Sequence, residues 1–592
     1  MDNQQLARIF TDIADLLDIK GENRFRILSY RRAAETIANL PEEMTAVVAQ
    51  GRDPAEFPGI GEAISKKILE ALQTGKVPFL ENLKQELPAS LLGLLEVRGV
   101  GPKAVKAVYE KLGVTTLDQL QAAAEGDRLS KLPGFGKRSQ EKILEAIRDL
   151  RSHSGRFKLS EALATAEQLT AYLSQVQGIG QMVPAGSLRR WRETVGDLDI
   201  LITCADPGPV MDRFVGYPGV REVVGKGETK STVILTSGMQ VDVRVLPEES
   251  FGSALCYFTG SKDHNVALRE MAKKEGLKLS EYGLFRPSTA GAREAGGRAE
   301  LVEARDDALV AGRTEEEVYQ ALALPCIPPE LREDRGEIEA ARARALPRLI
   351  ELKDIKADLQ VHTNWSDGTA SIEEMARAAK ALGYKTVAIT DHSQAVRIAN
   401  GLDEKRVREQ TTEVEAVRKK VRGITILHGI EVDVLSDGSL DLPVALLRQL
   451  DIVIGAVHSR FEMPRDAMTA RILKAVSTGL LHVFGHPTGR LINRRPAYQV
   501  DLEALFAAAR EHRVALELNA HPDRLDLTDI YVKRAKELGL TITINTDAHS
   551  PADLELMKFG VFTARRGWLE KTDVLNTKSP TALQTWLRRG PT

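Results

Sequence analysis

The sequence predicts a multidomain chain in three parts: an all-α N-terminal region of helical hairpins, a central α+β domain, and a C-terminal α/β barrel of seven β/α units. Three observations predict it. Up to about residue 150, short amphipathic segments are separated by a repeated turn, FPGIG at Phe57–Gly61, VRGVG at Val97–Gly101 and LPGFG at Leu132–Gly136. From about residue 160 to 323, strand and helix patterns mix. Beyond residue 353, seven apolar runs (DLQVH, TVAITDH, ILHGIEVDV, IVIGAVHS, HVFGHP, VALELNA, TITINTDAH) alternate with helical stretches. That rhythm is a parallel sheet with crossover helices, and seven or eight such units close into a barrel.

A chain of 592 residues is too long for one core, since single cores rarely exceed about 250 to 300 residues. The formal net charge is only −2, so a polyanionic partner has to be sought locally. Between residues 97 and 151, eleven Lys and Arg face seven Asp and Glu, which makes this the basic stretch. Cys204, Cys256 and Cys326 lie far apart without zinc-type spacing, as free thiols of a reducing compartment do. No apolar run is long enough to span a bilayer, and the N-terminus lacks a signal-peptide pattern. The expectation is a cytoplasmic protein with no membrane partner.

In the N-terminal region each Gly-x-Gly turn (Gly59 and Gly61, Gly99 and Gly101, Gly134 and Gly136) presents unobstructed backbone amides at a helix start, where a phosphate oxygen can approach. Lys103 and Lys137 add charge. Such contacts position nucleic acid without reading sequence. A single copy reads equally well as a tight αα-hairpin, but three copies followed by Lys or Arg favour DNA binding.

The central domain carries GSLRRWRETVGDLDILIT from Gly186 to Thr203, a Gly-Ser turn followed by Asp197 and Asp199 at the head of an apolar strand. Side chains at i and i+2 leave a strand on one face, so both carboxylates point at one spot. In MQVDVRVLP, Asp242 sits on a second strand with Arg244 on its face. Three carboxylates from neighbouring strands can clamp a pair of Mg²⁺ or Mn²⁺ ions that leave positions open for phosphates.

In the last segment, six of the seven runs end in or beside His, Asp or Glu, and nine of eleven histidines lie beyond Arg335. Functional groups of such barrels gather at strand carboxyl ends. His428, His482, His512 and His521 read as packed or surface residues.

The residues GS…RR…GDLDI, VDVR and YFTGSKDHN, together with the hairpins, resemble family X DNA polymerases over residues 1–333. The resemblance implies transfer of a deoxynucleotide from a deoxynucleoside triphosphate to a primer 3′-hydroxyl on gapped or primer-template DNA, by a monomer. Asp197, Asp199 and Asp242 would be catalytic. Gly186, Ser187, Arg190 and Gly196 would hold the triphosphate, Tyr257 and Phe258 the sugar, and Asn265 and Arg269 the nascent base pair. Without the resemblance, YFTGS reads as a strand-to-helix turn with two core aromatics. Lys67 and Tyr30 match a lyase site, although a solvated Lys67 is an equal reading, since Ala63 and Phe79 stand where the polymerase beta branch has lysines.

Over residues 353–592, QVHTNWSDG, TDHS, GIEVD, VHS, GHP and TDAH resemble the polymerase and histidinol phosphatase (PHP) domain. The resemblance implies up to three ions, Mn²⁺ or Zn²⁺, held by Gln360, His362, Asp367, His392, Glu431, His458, His486, Asp547 and His549. Gln360 replaces the usual histidine, so one ion position is expected to be loose or to favour Mn²⁺ over Zn²⁺. The implied activity is a 3′–5′ exonuclease or abasic-site cleavage. Alternatives are a barrel that binds metal only as a platform, and an RNA-directed nucleotidyltransferase. The expected boundaries are 1–85 (lyase-like helices), 86–155 (fingers-like hairpins), 156–260 (nucleotidyltransferase palm), 261–332 (thumb), 333–353 (linker) and 354–592 (PHP barrel).

Overall fold

A computed structural model describes residues 3–38, 44–57, 59–88, 90–95, 97, 99–132, 134–154, 156–287 and 308–588. The chain forms two compact units, Met1–Gly155 and Arg156–Thr592. Residues 288–307, within the expected thumb, lie outside the described residues.

The first unit is helical, and its three turns are built alike. Gly59, Gly99 and Gly134 each take φ +89°, a left-handed conformation that glycine adopts without steric cost. The following residue, Ile60, Val100 or Phe135, donates its N–H to a carbonyl three residues back (3.1, 2.9 and 3.0 Å) and buries its side chain. Helices then start at Glu62, Pro102 and Lys137. Ile60 packs among Phe10, Ile13, Ile64 and Ile68, whereas Val100 and Phe135 share a second core with Val105, Val108 and Ile143.

The second unit begins with a five-stranded mixed sheet in the order Ile179–Pro184, Asp197–Cys204, Gln240–Leu246, Lys230–Leu235, Val220–Lys226. The two acid-bearing strands are parallel neighbours, with Asp199 directly opposite Asp242. The YFTGS run expected as a strand-to-helix turn is instead a helix-to-helix turn. Tyr257 and Phe258 end the helix Glu248–Thr259, and Ser261 caps the helix Lys262–Lys274 by accepting the His264 N–H. An apolar face on both helices outweighs the β propensity of the aromatics.

The charged segment expected as a linker, 333–353, is packed. Ile338, Ala341 and Leu349 enter a core with Leu268, Val318 and Tyr319. Glu337 is fully buried and meets His264 Nδ1 at 2.5 Å, while Tyr319 Oη lies 3.0 Å from the other ring nitrogen. The partners of this segment lie on distant helices, which composition does not reveal.

Seven parallel strands then follow in strict sequence order: Ala357–Val361, Thr386–Ile389, Thr425–Asp433, Ile452–Ala456, Val483–Phe484, Ala515–Asn519 and Ile542–Asn545. The first and last approach each other, with the His362 N–H donating to Ala548 O at 2.8 Å. The C-terminal helix Pro580–Arg588 brings Leu583 and Leu587 into an inner core with Leu359, Leu427 and Ile454. Along the first strand Ala357 and Leu359 join that inner core but Val361 joins the outer one. The phase changes where the register shifts between Asp358 and Val361, and this irregularity turns Gln360 and His362 inward.

Candidate active sites

Asp197, Asp199 and Asp242 stand on the two neighbouring interior strands Asp197–Cys204 and Gln240–Leu246. Asp242 is almost buried, accepts hydrogen bonds from Thr232 Oγ1 and from Gln240 Nε2 at 3.1 Å, and has Lys230 Nζ at 3.3 Å. Burial, then repulsion from Asp197 and Asp242, pushes the Asp199 carboxyl up to about 6. Among the described residues these three acids form no cluster with ligand atoms within 4.8 Å, unlike two sets of residues in the barrel, His362, Asp367, His392 and His549, and His392, Glu431 and His458.

The short helix Gly186–Arg189 lies beside Asp199. Gly186 takes φ +65°, and a Cβ there would meet Asp199 Oδ2 at 3.1 Å, so both conformation and proximity require glycine. Arg190 donates Nη1 to Thr259 O at 2.7 Å and Nε to Glu333 at 2.9 Å. Arg189 forks onto Glu315, at 2.9 and 2.7 Å. Burial opposes ionisation of Glu315, but Arg189 and Arg332 outweigh it and hold the carboxyl at about 2. Gly196 sits under Arg156, whose Nη1 would lie 3.3 Å from a Cβ. Asn265 Nδ2 donates to Tyr257 O at 2.6 Å, and Arg269 Nε to Asn265 O at 3.2 Å, which locks the aromatic end of one helix to the start of the next.

In the barrel, Glu431 is fully buried at the centre of the imidazoles. Its oxygens lie 2.9 Å from His392 Nδ1, 3.0 Å from His486 Nε2, 3.5 Å from His458 Nε2 and 3.6 Å from His362 Nε2. Asp547 lies 3.1 Å from His362 Nε2, and Asp367 is 3.4 Å from His549 and 3.6 Å from His392. His362, Asp367, His392 and His549 form one compact set of ligand atoms, and His392, Glu431 and His458 another. Gln360 Nε2 donates to Glu431 at 3.1 Å and to Asp547 at 3.4 Å. Asp547 and His486 take φ +56° and +27°, local strain of the kind that persists where surroundings over-determine a site.

Several buried atoms here make no well-directed hydrogen bond: both nitrogens of His362, His392 Nδ1, His458 Nε2, His486 Nδ1, Glu431 Oε2 and Gln360 Oε1. Orphaned polar atoms are costly in a low-dielectric interior, and a mixed imidazole and carboxylate set converging this way fits divalent metal. The electrostatics agree. Burial disfavours charge on Glu431 and Asp547, yet the surrounding histidines hold both well below the usual carboxylate range. Burial likewise opposes protonation of His549, but Asp367 and Asp547 push it up to about 10.

Sequence reasoning missed the carboxylates that hold the ligands. Asp433 accepts the His458 N–H at 3.1 Å and faces its Nδ1 at 3.3 Å. Asp391 accepts the Thr363 N–H at 2.7 Å, shaping the loop from His362 to Asp367. Glu517 accepts the His486 N–H at 2.7 Å, and burial pushes its carboxyl well up. Asp391 and Asp433 sit inside the quoted TDH and IEVD runs, so the signal was adjacency to a ligand. His428, His482 and His521 are structural, bonded to Gln410, to the Val453 N–H and to the Asp523 N–H at 3.0, 3.0 and 3.2 Å.

In the first unit, Lys67 Nζ donates to Ala63 O at 3.2 Å and lies 5.4 Å from the centre of the Phe79 ring, on which Tyr30 stacks. Lys103 and Lys137 are exposed at their helix starts.

Comparison with known proteins adds lineage to geometry. The DNA polymerase/3′-5′ exonuclease PolX of Bacillus subtilis (strain 168) is 39% identical over 591 residues, 100% of both chains. The chain belongs to the family X DNA polymerases. Family patterns agree part by part: a helix-hairpin-helix domain at residues 1–77, a SAM-like helix-hairpin-helix tandem at 91–149, a DNA polymerase beta thumb at 254–333 and a PHP domain at 358–521. DNA polymerase lambda of Rattus norvegicus is 25% identical over 348 residues, 54% of each chain. A probable phosphatase of Thermoanaerobacter sp. (strain X514) is 29% identical over 236 residues, 38% of this chain and 91% of its own. This family X polymerase thus joins helix-hairpin-helix and polymerase beta thumb domains to a PHP domain. Among the described residues no helix is long and apolar enough to cross a membrane, and all three cysteines are free.

Proposed function

We propose that this family X polymerase is a DNA-directed DNA polymerase that fills short gaps in base excision repair and also removes nucleotides 3′ to 5′ in its PHP barrel. One observation carries the reading. Asp199 and Asp242 face each other in register beside the Gly186–Arg189 turn, in the same compact unit as a buried imidazole and carboxylate cluster.

Divalent ions, when bound, neutralise phosphate oxygens and lower the pKa of the attacking hydroxyl or water. In the palm, Asp197, Asp199 and Asp242 present the carboxylate oxygens that hold Mg²⁺ or Mn²⁺. Ser187, Arg190 and the backbone at Gly186 and Gly196 grip the triphosphate, an in-line geometry that does most of the work of phosphoryl transfer. Tyr257 and Phe258 wall the sugar, while Asn265 and Arg269 face the base pair. In the barrel, Gln360, His362, Asp367, His392, Glu431, His458, His486, Asp547 and His549 would hold up to three ions, Mn²⁺ or Zn²⁺, which would activate water against a phosphodiester. The hairpin amides at Gly59, Gly61, Gly99, Gly101, Gly134 and Gly136, with Lys103 and Lys137, grip the DNA backbone. Free cysteines suit a monomer working in the reducing cytoplasm.

The test is a pair of variants on a gapped primer with Mn²⁺. Asp197→Ala abolishes extension and keeps degradation, and His486→Ala does the reverse. Degradation that survives His486→Ala removes the barrel from the reaction.

A further inference from the structure

We propose that the barrel helix Met557–Arg566 sets the geometry of the nucleotide-binding turn in the palm, with Phe562 and Arg566 as positioning residues for the incoming triphosphate. The proposal rests on the reading of Arg190 as a triphosphate ligand. It makes nucleotide affinity a property of both domains.

The turn is abnormal at both ends. It enters through Gly186 at φ +65° and leaves through Trp191 at φ +55°, a left-handed conformation that a bulky residue holds only when its surroundings enforce it. Those surroundings belong to the barrel. The indole of Trp191 stacks on Phe562 with ring centroids 3.7 Å apart and planes parallel, and Phe559 packs edge-on at 6.1 Å. Phe559, Ile492 and Leu525 of the barrel also enter the palm core beside Leu188 and Val195. The exit of the turn is thereby held from outside the polymerase domain.

Arg566 holds the main chain and the charge balance together. Its side chain is only 3% exposed. Nη1 donates to Arg190 O at 2.6 Å, and Nη2 lies 2.7 Å from Asp529 and 3.0 Å from Glu333. Glu333 is the same carboxylate that receives Arg190 Nε at 2.9 Å, with Arg192 at 3.7 Å. Arg190 thus faces an anion whose charge is shared with the barrel. Without Arg566, that carboxylate falls wholly to Arg190 and Arg192, and a guanidinium fully engaged by a carboxylate is a poorer partner for phosphate. Both effects act on ground-state capture of the triphosphate. They leave the palm carboxylates and the barrel ligands untouched.

An interface that merely glues two domains would cost stability when cut, with no change in substrate constants. The discriminating measurement is steady-state gap filling by the full-length chain, reading KM and kcat for the incoming deoxynucleotide, with 3′–5′ degradation as the control for a folded barrel. Phe562→Ala and Arg566→Met are expected to raise KM by roughly tenfold, the scale of one charge-assisted contact, with kcat within about twofold and degradation at the wild-type rate. Phe562→Tyr, which keeps the stack, restores the wild-type KM. Should Phe562→Ala also lose degradation, Phe562→Leu carries the test, because it keeps apolar volume and removes the stack. If Arg190→Ala raises KM while the folded Phe562 and Arg566 variants do not, the coupling is overturned. If Arg190→Ala itself leaves KM unchanged, the triphosphate reading of that residue falls, and the coupling falls with it.

Discussion

Replacing Asp199 by Asn should make the metal-free protein more stable at neutral pH even as it abolishes synthesis. In the folded chain the Asp199 carboxyl rises from 3.8 to about 6, first through burial and then through Asp197 and Asp242. A group whose value is raised on folding stabilises the fold fully below its unfolded value, and that contribution is lost as pH rises through the folded value. At pH 7.5 the ionised side chain therefore costs roughly 3 kcal/mol, at about 1.4 kcal/mol per tenfold in proton affinity. Asparagine has the same shape and no charge, so the variant escapes the whole penalty. Urea unfolding followed by tryptophan fluorescence, with a chelator present for both proteins, should show the variant more stable by up to ~3 kcal/mol at pH 7.5. The gap should shrink as pH falls through 6 and close only below about 3.8, where the wild-type carboxyl is protonated in both states. Adding Mg²⁺ should narrow it at pH 7.5, because cations relieve the repulsion only where carboxylates remain. A variant no more stable than wild type at pH 7.5, or a gap independent of pH, refutes the account of three carboxylates straining one another.

Two further outcomes follow from local geometry. Gly186→Ala places a Cβ 3.1 Å from Asp199 Oδ2 at φ +65°, so it should lower the kcat/KM of synthesis by about 100-fold and leave degradation unchanged, measured on one gapped substrate. Gln360→His adds an imidazole where Gln360 Oε1 is buried and unpartnered, so the purified variant should retain Zn²⁺ against a chelator on the order of tenfold better than wild type, measured by elemental analysis.

Much of the candidate chemistry was legible because it follows short-range rules. Period-two alternation on an apolar strand was enough to put Asp197 and Asp199 on one face, and the candidate metal ligands of the barrel stood at the ends of apolar runs. The three hairpins were legible as a repeat, and the structure gives Gly59, Gly99 and Gly134 one shared φ. The supporting carboxylates Asp391, Asp433 and Glu517 were not, because a residue that orients a ligand looks like any other acid until the fold brings it near. Glu337 falls in the segment read as a linker and is buried against His264, a partner 73 positions away that composition does not reveal.

The sequence by itself determined the three-part order of the chain, the seven strands of the barrel and which residue types end them, because these depend on periodicity and turn chemistry over a few neighbours. It determined lineage as well. Tertiary structure alone decided what each charged group faces. The irregularity after Asp358 turns Gln360 and His362 inward, Glu431 becomes the hub of four imidazoles, and Arg190 meets a carboxylate held by an arginine 376 residues later. Electrostatic energy depends on distance and burial, and neither is written in the order of residues.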